Sequence, residues 1–185
     1  MDTKAFREGF RDGIPIGLGY LAVSFSLGIS AKQAGLTPLQ GFVTSFLENA
    51  SAGEYIAFTL IGAGATYIEL CLMTIIANAR YLLMSCAMSQ RFSPDTPMIH
   101  RFLVAFDLTD ELFGIAIGRP GYLNPYYSYG AFLVALPGWS IGTAAGVIAG
   151  NLLPGDMVKA LSVSLFGMFL SLIHISEPTR LLSIS

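Results

Sequence analysis

Residues 102–118 read FLVAFDLTDELFGIAIG. The stretch is apolar enough to sit in a membrane, yet it carries Asp107, Asp110 and Glu111. Read as one helix, these acids fall at i, i+3 and i+4 and share a face. An ionised carboxylate at the centre of a bilayer costs about 2.5–3.5 kcal/mol even on the lenient insertion scale. Three on one face must line water, meet a cation or carry protons, and the rest of the chain has to supply that setting.

The composition fits a bilayer. The 185 residues are 54% hydrophobic and 12% charged, with a mean hydropathy of +0.64, whereas soluble domains average about 25% charged residues. The length suggests one domain and admits about six membrane segments of ~20 residues each. The net charge of −2 and the lack of a basic run argue against a nucleic-acid partner. Cys71 and Cys86 would lie about 22 Å apart on a continuous helix, too far for a disulfide, and read as packing residues. No cofactor or metal is expected.

In chain order, residues 1–12 form a short charged lead-in, and residues 14–31 an apolar span. Residues 36–61 are apolar at both ends but interrupted by Glu48-Asn49-Ala50-Ser51-Ala52-Gly53-Glu54. Two acids and small residues there predict two half-helices with an unwound joint, a device by which transporters bind substrate. The alternative is an ordinary loop between shorter segments. Residues 66–88 read as a full span, with Glu69 toward one end and Asn78-Ala79-Arg80-Tyr81 toward the other. Glu69 and Arg80, eleven residues apart, share nearly the same helical face. Pairing between them competes with simple snorkelling of Arg80 to the interface.

Residues 89–101 make a polar turn with two prolines, followed by the acid-bearing stretch and a second turn at 119–124. Residues 129–153 form another span, with Gly142, Gly146 and Gly150 at four-residue spacing, which permits close approach of a neighbouring helix. Residues 157–170 begin a last span. The final stretch, SLIHISEPTRLLSIS, changes character abruptly. Its SLIHISEPTR is similar to translated sequencing-adaptor read-through, so residues 171–185 are expected to be a non-native tail and residues 1–170 the membrane domain, incomplete at its C-terminus. His100 is then the one credible histidine, in a loop, which disfavours metal sites and triads.

Pro15 and Gly28 are thirteen residues apart, as are Pro137 and Gly150, which hints at an internal inverted repeat of the kind common in transporters. Lys4, Arg7 and Arg11 favour a cytoplasmic N-terminus. With residues 36–61 counted as re-entrant, Arg91 and Arg101 fall on that same side. The expected fold is an all-α integral membrane protein of about five to six hydrophobic segments, one of them broken or re-entrant.

Four stretches resemble the AzlC family of branched-chain amino acid transport proteins, the large subunits of bacterial exporters. They are GIPIGLGYLAVSFSLGISAKQAGL at 13–36, ASAGEY at 50–55, NARYLLM at 78–84 and LTDELFGIA at 108–116. Together they cover about residues 6 to 170. The resemblance implies export of valine, leucine, isoleucine and sometimes methionine across the bacterial cytoplasmic (inner) membrane, by a multi-pass subunit with a small hydrophobic AzlD-type partner. Family members run longer than this chain.

An amino-acid substrate offers an ammonium, a carboxylate and an aliphatic chain. Asp110 and Glu111, with Thr109 beside them in the Thr-Asp-Glu motif, are the candidates for the ammonium or a coupling proton. Arg80, with Asn78 in the Asn-x-Arg motif, is the candidate to neutralise those acids or bind the carboxylate. Ser51, Gly53 and Glu54 at the joint would add backbone groups and a further acid. Asp107 lies outside the Thr-Asp-Glu motif and ranks lower. The rival reading is a channel-like or assembly subunit without transport of its own. An intramembrane enzyme lacks a nucleophile–base pair on facing spans.

Overall fold

The computed structural model describes residues 2–152, and among these it shows eight helices and no strand. They are α1 (Thr3–Gln33), α2 (Pro38–Glu48), α3 (Ser51–Gly62), α4 (Tyr67–Ala77), α5 (Arg80–Ser89), α6 (Met98–Phe106), α7 (Asp110–Ile117) and α8 (Pro125–Leu152). The last span expected at 157–170 and the tail at 171–185 lie outside the described residues.

Two helices are long and apolar enough to cross a membrane, α1 and Pro125–Gly150 of α8. A third crossing exists if α4 and α5, bent by 49° at their break, count as one span. The expected all-α fold is found, while two to three of the expected five to six segments qualify as crossings among the described residues. Five apolar stretches occur in the described residues, and the three between α1 and α8 are all broken.

Helices α1 and α8 form the frame. Asp2 caps α1, accepting from the backbone N–H of Lys4 at 3.1 Å and Ala5 at 3.2 Å. The two helices lie side by side along their length. A side chain at Gly13 would meet Ala131, one at Gly17 Val134, one at Gly142 Leu21 and Ser24, and one at Gly150 Ile29 and Lys32. Both residue numbers rise together, so the helices run parallel. Glycine faces glycine at Gly28 and Gly146, where a Cβ on Gly146 would sit 2.9 Å from the Gly28 Cα. The glycine spacing in α8 thus has its partner in α1. Equivalent helices of an inverted repeat would run antiparallel, so the matched Pro–Gly spacings of α1 and α8 do not mark one.

Segment 36–61 is a helical hairpin, α2 followed by α3. Thr37 opens α2 with a capping box to Gln40 and Pro38 follows in the first turn. The helix stops at Asn49, which takes left-handed backbone angles (φ 43, ψ 42), a conformation that Asn tolerates better than most residues. Then α3 returns, and a Cβ on Gly62 would lie 3.3 Å from the Cα of Ala34, just beyond the end of α1. Entry and exit are at the same end of the frame.

Segment 102–118 does the same from the opposite end. It was expected to be one helix with three acids on a face, and instead it breaks at Asp107-Leu108-Thr109. Thr109 is an N-cap, its hydroxyl accepting from the N–H of Leu112 at 3.4 Å. Asp110 and Glu111 occupy the first turn of α7, where carboxylates complement the helix dipole. Thr-Asp-Glu is thus a helix start, and the local capping geometry outcompetes continuation of α6. Beyond α7, Arg119 pairs with Glu8 near the start of α1, and the Arg91 guanidinium donates to the Arg119 carbonyl.

Between the hairpins, α4 and α5 pass from one end to the other. Thr66 and Glu69 form a capping box at the start of α4. Past the bend, the residues after α5 reach the far end, where the Leu123 N–H donates to the Arg91 carbonyl at 2.7 Å. Arg101 ties the 89–97 loop down, donating to the carbonyls of Ser89 at 3.0 Å and Ser93 at 2.9 Å. One buried cluster around Tyr20, Leu27, Phe58, Leu112 and Trp139 fills the middle of the frame. A second, with Met88, Phe92, Val104, Leu123 and Tyr127, fills the end that carries the N-terminus. Outward faces are apolar, including Ile68, Ile76, Leu83 and Phe102, as a lipid-facing surface requires.

Candidate functional site

The three helix breaks meet near the midpoints of α1 and α8. Tyr20 is the side chain of α1 at this level, and Trp139 and Thr143 are those of α8. Five acids and one arginine gather here: Glu48 and Glu54 of the first hairpin, Asp107, Asp110 and Glu111 of the second, and Arg80 at the start of α5. The starts of α3 and α7 and the ends of α2 and α6 fall here, and helix ends leave backbone N–H groups at the start and carbonyls at the finish for capping groups or ligands. One site therefore offers both helix polarities.

Glu54 is fully buried. Trp139 Nε1 donates to its Oε2 at 2.7 Å, Thr143 Oγ1 lies 3.4 Å from its Oε1, and Ser45 Oγ also donates to Oε1. Ser45 and Thr143 are themselves hydrogen-bonded at 2.7 Å. Every donor comes from α2 or α8, so this carboxyl pins the first hairpin to the frame.

On the second hairpin, the Tyr20 hydroxyl bonds Thr109 Oγ1 and donates to Glu111 Oε2 at 2.6 Å. The Tyr20 ring packs edge-on against Trp139, with centroids 5.1 Å apart. Tyr20 and Trp139 thus bridge Glu111 and Glu54. Arg80 Nη1 lies 2.7 Å from Asp110 Oδ2, and both side chains are nearly half exposed.

The candidates named from the sequence fall as follows. Thr109, Asp110, Glu111, Arg80 and Glu54 all reach this middle zone. Asn78 lies at the α4–α5 break and its amide approaches Glu48 Oε1 at 3.4 Å. Gly53 is where that approach happens, since a Cβ there would come within 2.7 Å of Asn78 Oδ1. Ser51 is half-buried at the first position of α3. The suggested Glu69–Arg80 pairing is not found. Glu69 folds back onto its own cap, accepting from the Thr66 N–H at 2.8 Å, and the bend carries Arg80 to Asp110.

Asp107, ranked below its neighbours, is the most deeply buried of the three acids in residues 102–118. It is 1% exposed and lies at the tip of the second hairpin, where Asn49 at the tip of the first donates to it through Nδ2. Sequence reasoning also missed Tyr20, Ser45, Asn49, Trp139 and Thr143. Thr-Pro-x-Gln at residues 37–40 and Thr-x-x-Glu at 66–69 were readable helix starts. Nothing local pointed from Tyr20 or Trp139 to acids dozens of residues away.

Comparison with known proteins places these features in a family. A family model described as AzlC protein matches residues 15–153. An uncharacterized membrane protein of Archaeoglobus fulgidus is 29% identical over 173 residues, covering 92% of this chain and 75% of its own. The inner membrane protein YgaZ of Escherichia coli K12 is 28% identical, over 91% of this chain and 72% of its own. The branched-chain amino acid transport protein AzlC of Bacillus subtilis is 27% identical over 150 residues, 80% of this chain and 58% of its own. No solved structure matches. On the matched span, which takes in every residue of the central cluster, the chain belongs to the AzlC family of membrane proteins.

Proposed function

We propose that this chain is a transporter subunit that exports branched-chain amino acids, with proton coupling, in the bacterial cytoplasmic membrane beside a small hydrophobic AzlD-type subunit. The supporting observation is the meeting of three helix breaks around five acids and one arginine, in a family with a member named for branched-chain amino acid transport. A zwitterionic substrate needs a cation or helix N-terminus for its carboxylate and an acid or free carbonyls for its ammonium. Arg80 and the start of α7 supply the first. Asp110, Glu111 and the ends of α2 and α6 supply the second. The apolar side chains of the middle cluster, Leu112 and Phe58 among them, suit an aliphatic tail.

The chemistry favours a carrier over an enzyme. Among the described residues His100 is the histidine available as a base; it lies on α6 rather than in the expected loop and pairs with Tyr129 at 2.7 Å beside the start of α8, away from the acids. Arg91, Arg101 and Arg119 lie at the N-terminal end of the frame with Lys4, Arg7 and Arg11. The positive-inside rule makes that end cytoplasmic.

Counterflow of labelled valine in proteoliposomes is the test. The parent exchanges valine, whereas Asp110→Asn and Glu111→Gln variants, inserted at parental levels, do not. Normal exchange by both variants removes the assigned role, and no exchange by the parent with its partner subunit favours the channel or assembly reading.

A further inference from the structure

The two hairpins enter from opposite ends and touch at their tips through one side-chain pair, Asn49 with Asp107. Asn49 Nδ2 donates to Asp107 Oδ1. Each planar group then has one oxygen left over. Both leftovers, Asn49 Oδ1 and Asp107 Oδ2, are buried and without a hydrogen-bond partner. The residues are 5% and 1% exposed. Two acceptors cannot satisfy one another, and an ionised carboxylate has no donor to offer. Arg80, the cation at this level, is already taken by Asp110. A buried carboxylate without a cation is strongly destabilising.

We propose that Asp107 is a proton-binding site whose occupancy controls how firmly the two hairpin tips are joined. A single proton on Asp107 Oδ2 turns that oxygen into a donor toward Asn49 Oδ1. The carboxyl and the carboxamide then face each other as a complementary pair with two hydrogen bonds, and both orphaned oxygens are satisfied. The proton is taken from water and returned to it, and no other bond changes. When it leaves, one of the two links is lost and a bare charge remains between the tips, which favours their separation.

The surrounding titratable and charged groups are Tyr20 on α1, Glu48 on α2, Glu54 on α3, Arg80 on α5, and Asp110 and Glu111 on α7. At this level Asn78 caps the end of α4, Asp107 itself caps the end of α6, and α8 presents Trp139 and Thr143. The groups other than Arg80 and Tyr20 are acids, so none of them brings a second cation to the buried carboxylate. The inference rests on the carrier reading for its use, but the site stands on its own geometry.

Infrared difference spectroscopy on the full chain in lipid vesicles, titrated across neutral pH, reads the proton directly. The expected result is a protonated-carboxyl band at neutral pH that Asp107→Asn removes. Labelling aspartates with carbon-13 in the parent shifts that band and separates it from Glu48, Glu54 and Glu111, and Asp110→Asn, which leaves the band in place, separates it from Asp110. In proteoliposomes Asp107→Asn, whose carboxamide mimics the joined state, loses valine accumulation driven by a pH gradient. A band absent from the parent, or unchanged by both Asp107→Asn and labelling, overturns the proposal. So does thermal stabilisation by sodium or potassium at fixed pH that Asp107→Asn abolishes, which would make the occupant a metal cation. If the parent shows no counterflow, the carrier reading fails while the infrared result still decides the proton site.

Discussion

Removing the indole N–H from Trp139 tests whether Glu54 pins the first hairpin to α8. Trp139→Phe leaves Glu54 Oε2 without its 2.7 Å donor. The remaining partners both address Oε1, from Ser45 and, at a weak 3.4 Å, from Thr143. A hydrogen bond to a charged acceptor contributes about 1.5–3 kcal/mol, and one to a neutral acceptor about 0.5–1.5 kcal/mol. The substitution also shrinks a ring packed edge-on against Tyr20, so the single variant mixes two effects. A double-mutant cycle with Glu54→Leu separates them. The leucine removes the acceptor, and Ser45 and Thr143 keep their mutual 2.7 Å bond. Reversible unfolding in mixed micelles should give a coupling of at least about 1.5 kcal/mol with ionised Glu54, roughly tenfold in the unfolding constant. A coupling nearer 1 kcal/mol would identify a neutral carboxyl. If the two substitutions add to within about 0.5 kcal/mol, the bond is not what holds the hairpin, and Trp139 matters by packing alone.

Two further outcomes follow from the geometry. The Arg80–Asp110 pair is nearly half exposed on both sides, so Arg80→Ala should cost at most about 1 kcal/mol of stability. Valine counterflow should nonetheless fall at least about tenfold, and parental rates in both Arg80→Ala and Arg80→Lys would reduce the arginine to an anchor. Gly146→Ala should lower stability by about 1–3 kcal/mol through overpacking, because its methyl would enter the α1 backbone at Phe25 and Gly28. Gly114→Ala is the control, since a Cβ there meets nothing within 4 Å, and unfolding midpoints of the two variants should diverge accordingly. Equal midpoints would contradict the close parallel contact.

Much of the site was legible in short motifs, and for a physical reason. Charge in an apolar stretch is costly enough to stand out, so Glu54, Arg80, Asp110 and Glu111 were visible before any fold was known. The joint at residues 48–54 was visible for the same reason, because small residues and acids interrupt an otherwise apolar run. Asp107 ranked low because it lies outside the Thr-Asp-Glu motif, and the break beside it was missed because the stretch was read as one continuous helix. That reading gave weight to shared periodicity and none to Thr109 as a cap, although Thr followed by two acids is a helix start.

Sequence alone determines that this chain lives in a membrane, that certain stretches cannot be ordinary helices, and which family it resembles. These follow from local quantities, namely hydropathy, capping chemistry and motif order. Direction and proximity do not. Whether residues 36–61 cross or turn back depends on where Gly62 lands relative to Ala34. Whether α1 and α8 run parallel depends on which glycines face each other across an interface of small residues. The meeting of Asn49 with Asp107, and of Tyr20 with Glu111, joins positions 58 and 91 residues apart. Such contacts are made by packing between elements, so only the folded chain reveals that the acids in residues 102–118 are divided by a helix break and that the lowest-ranked of them sits where the hairpins meet.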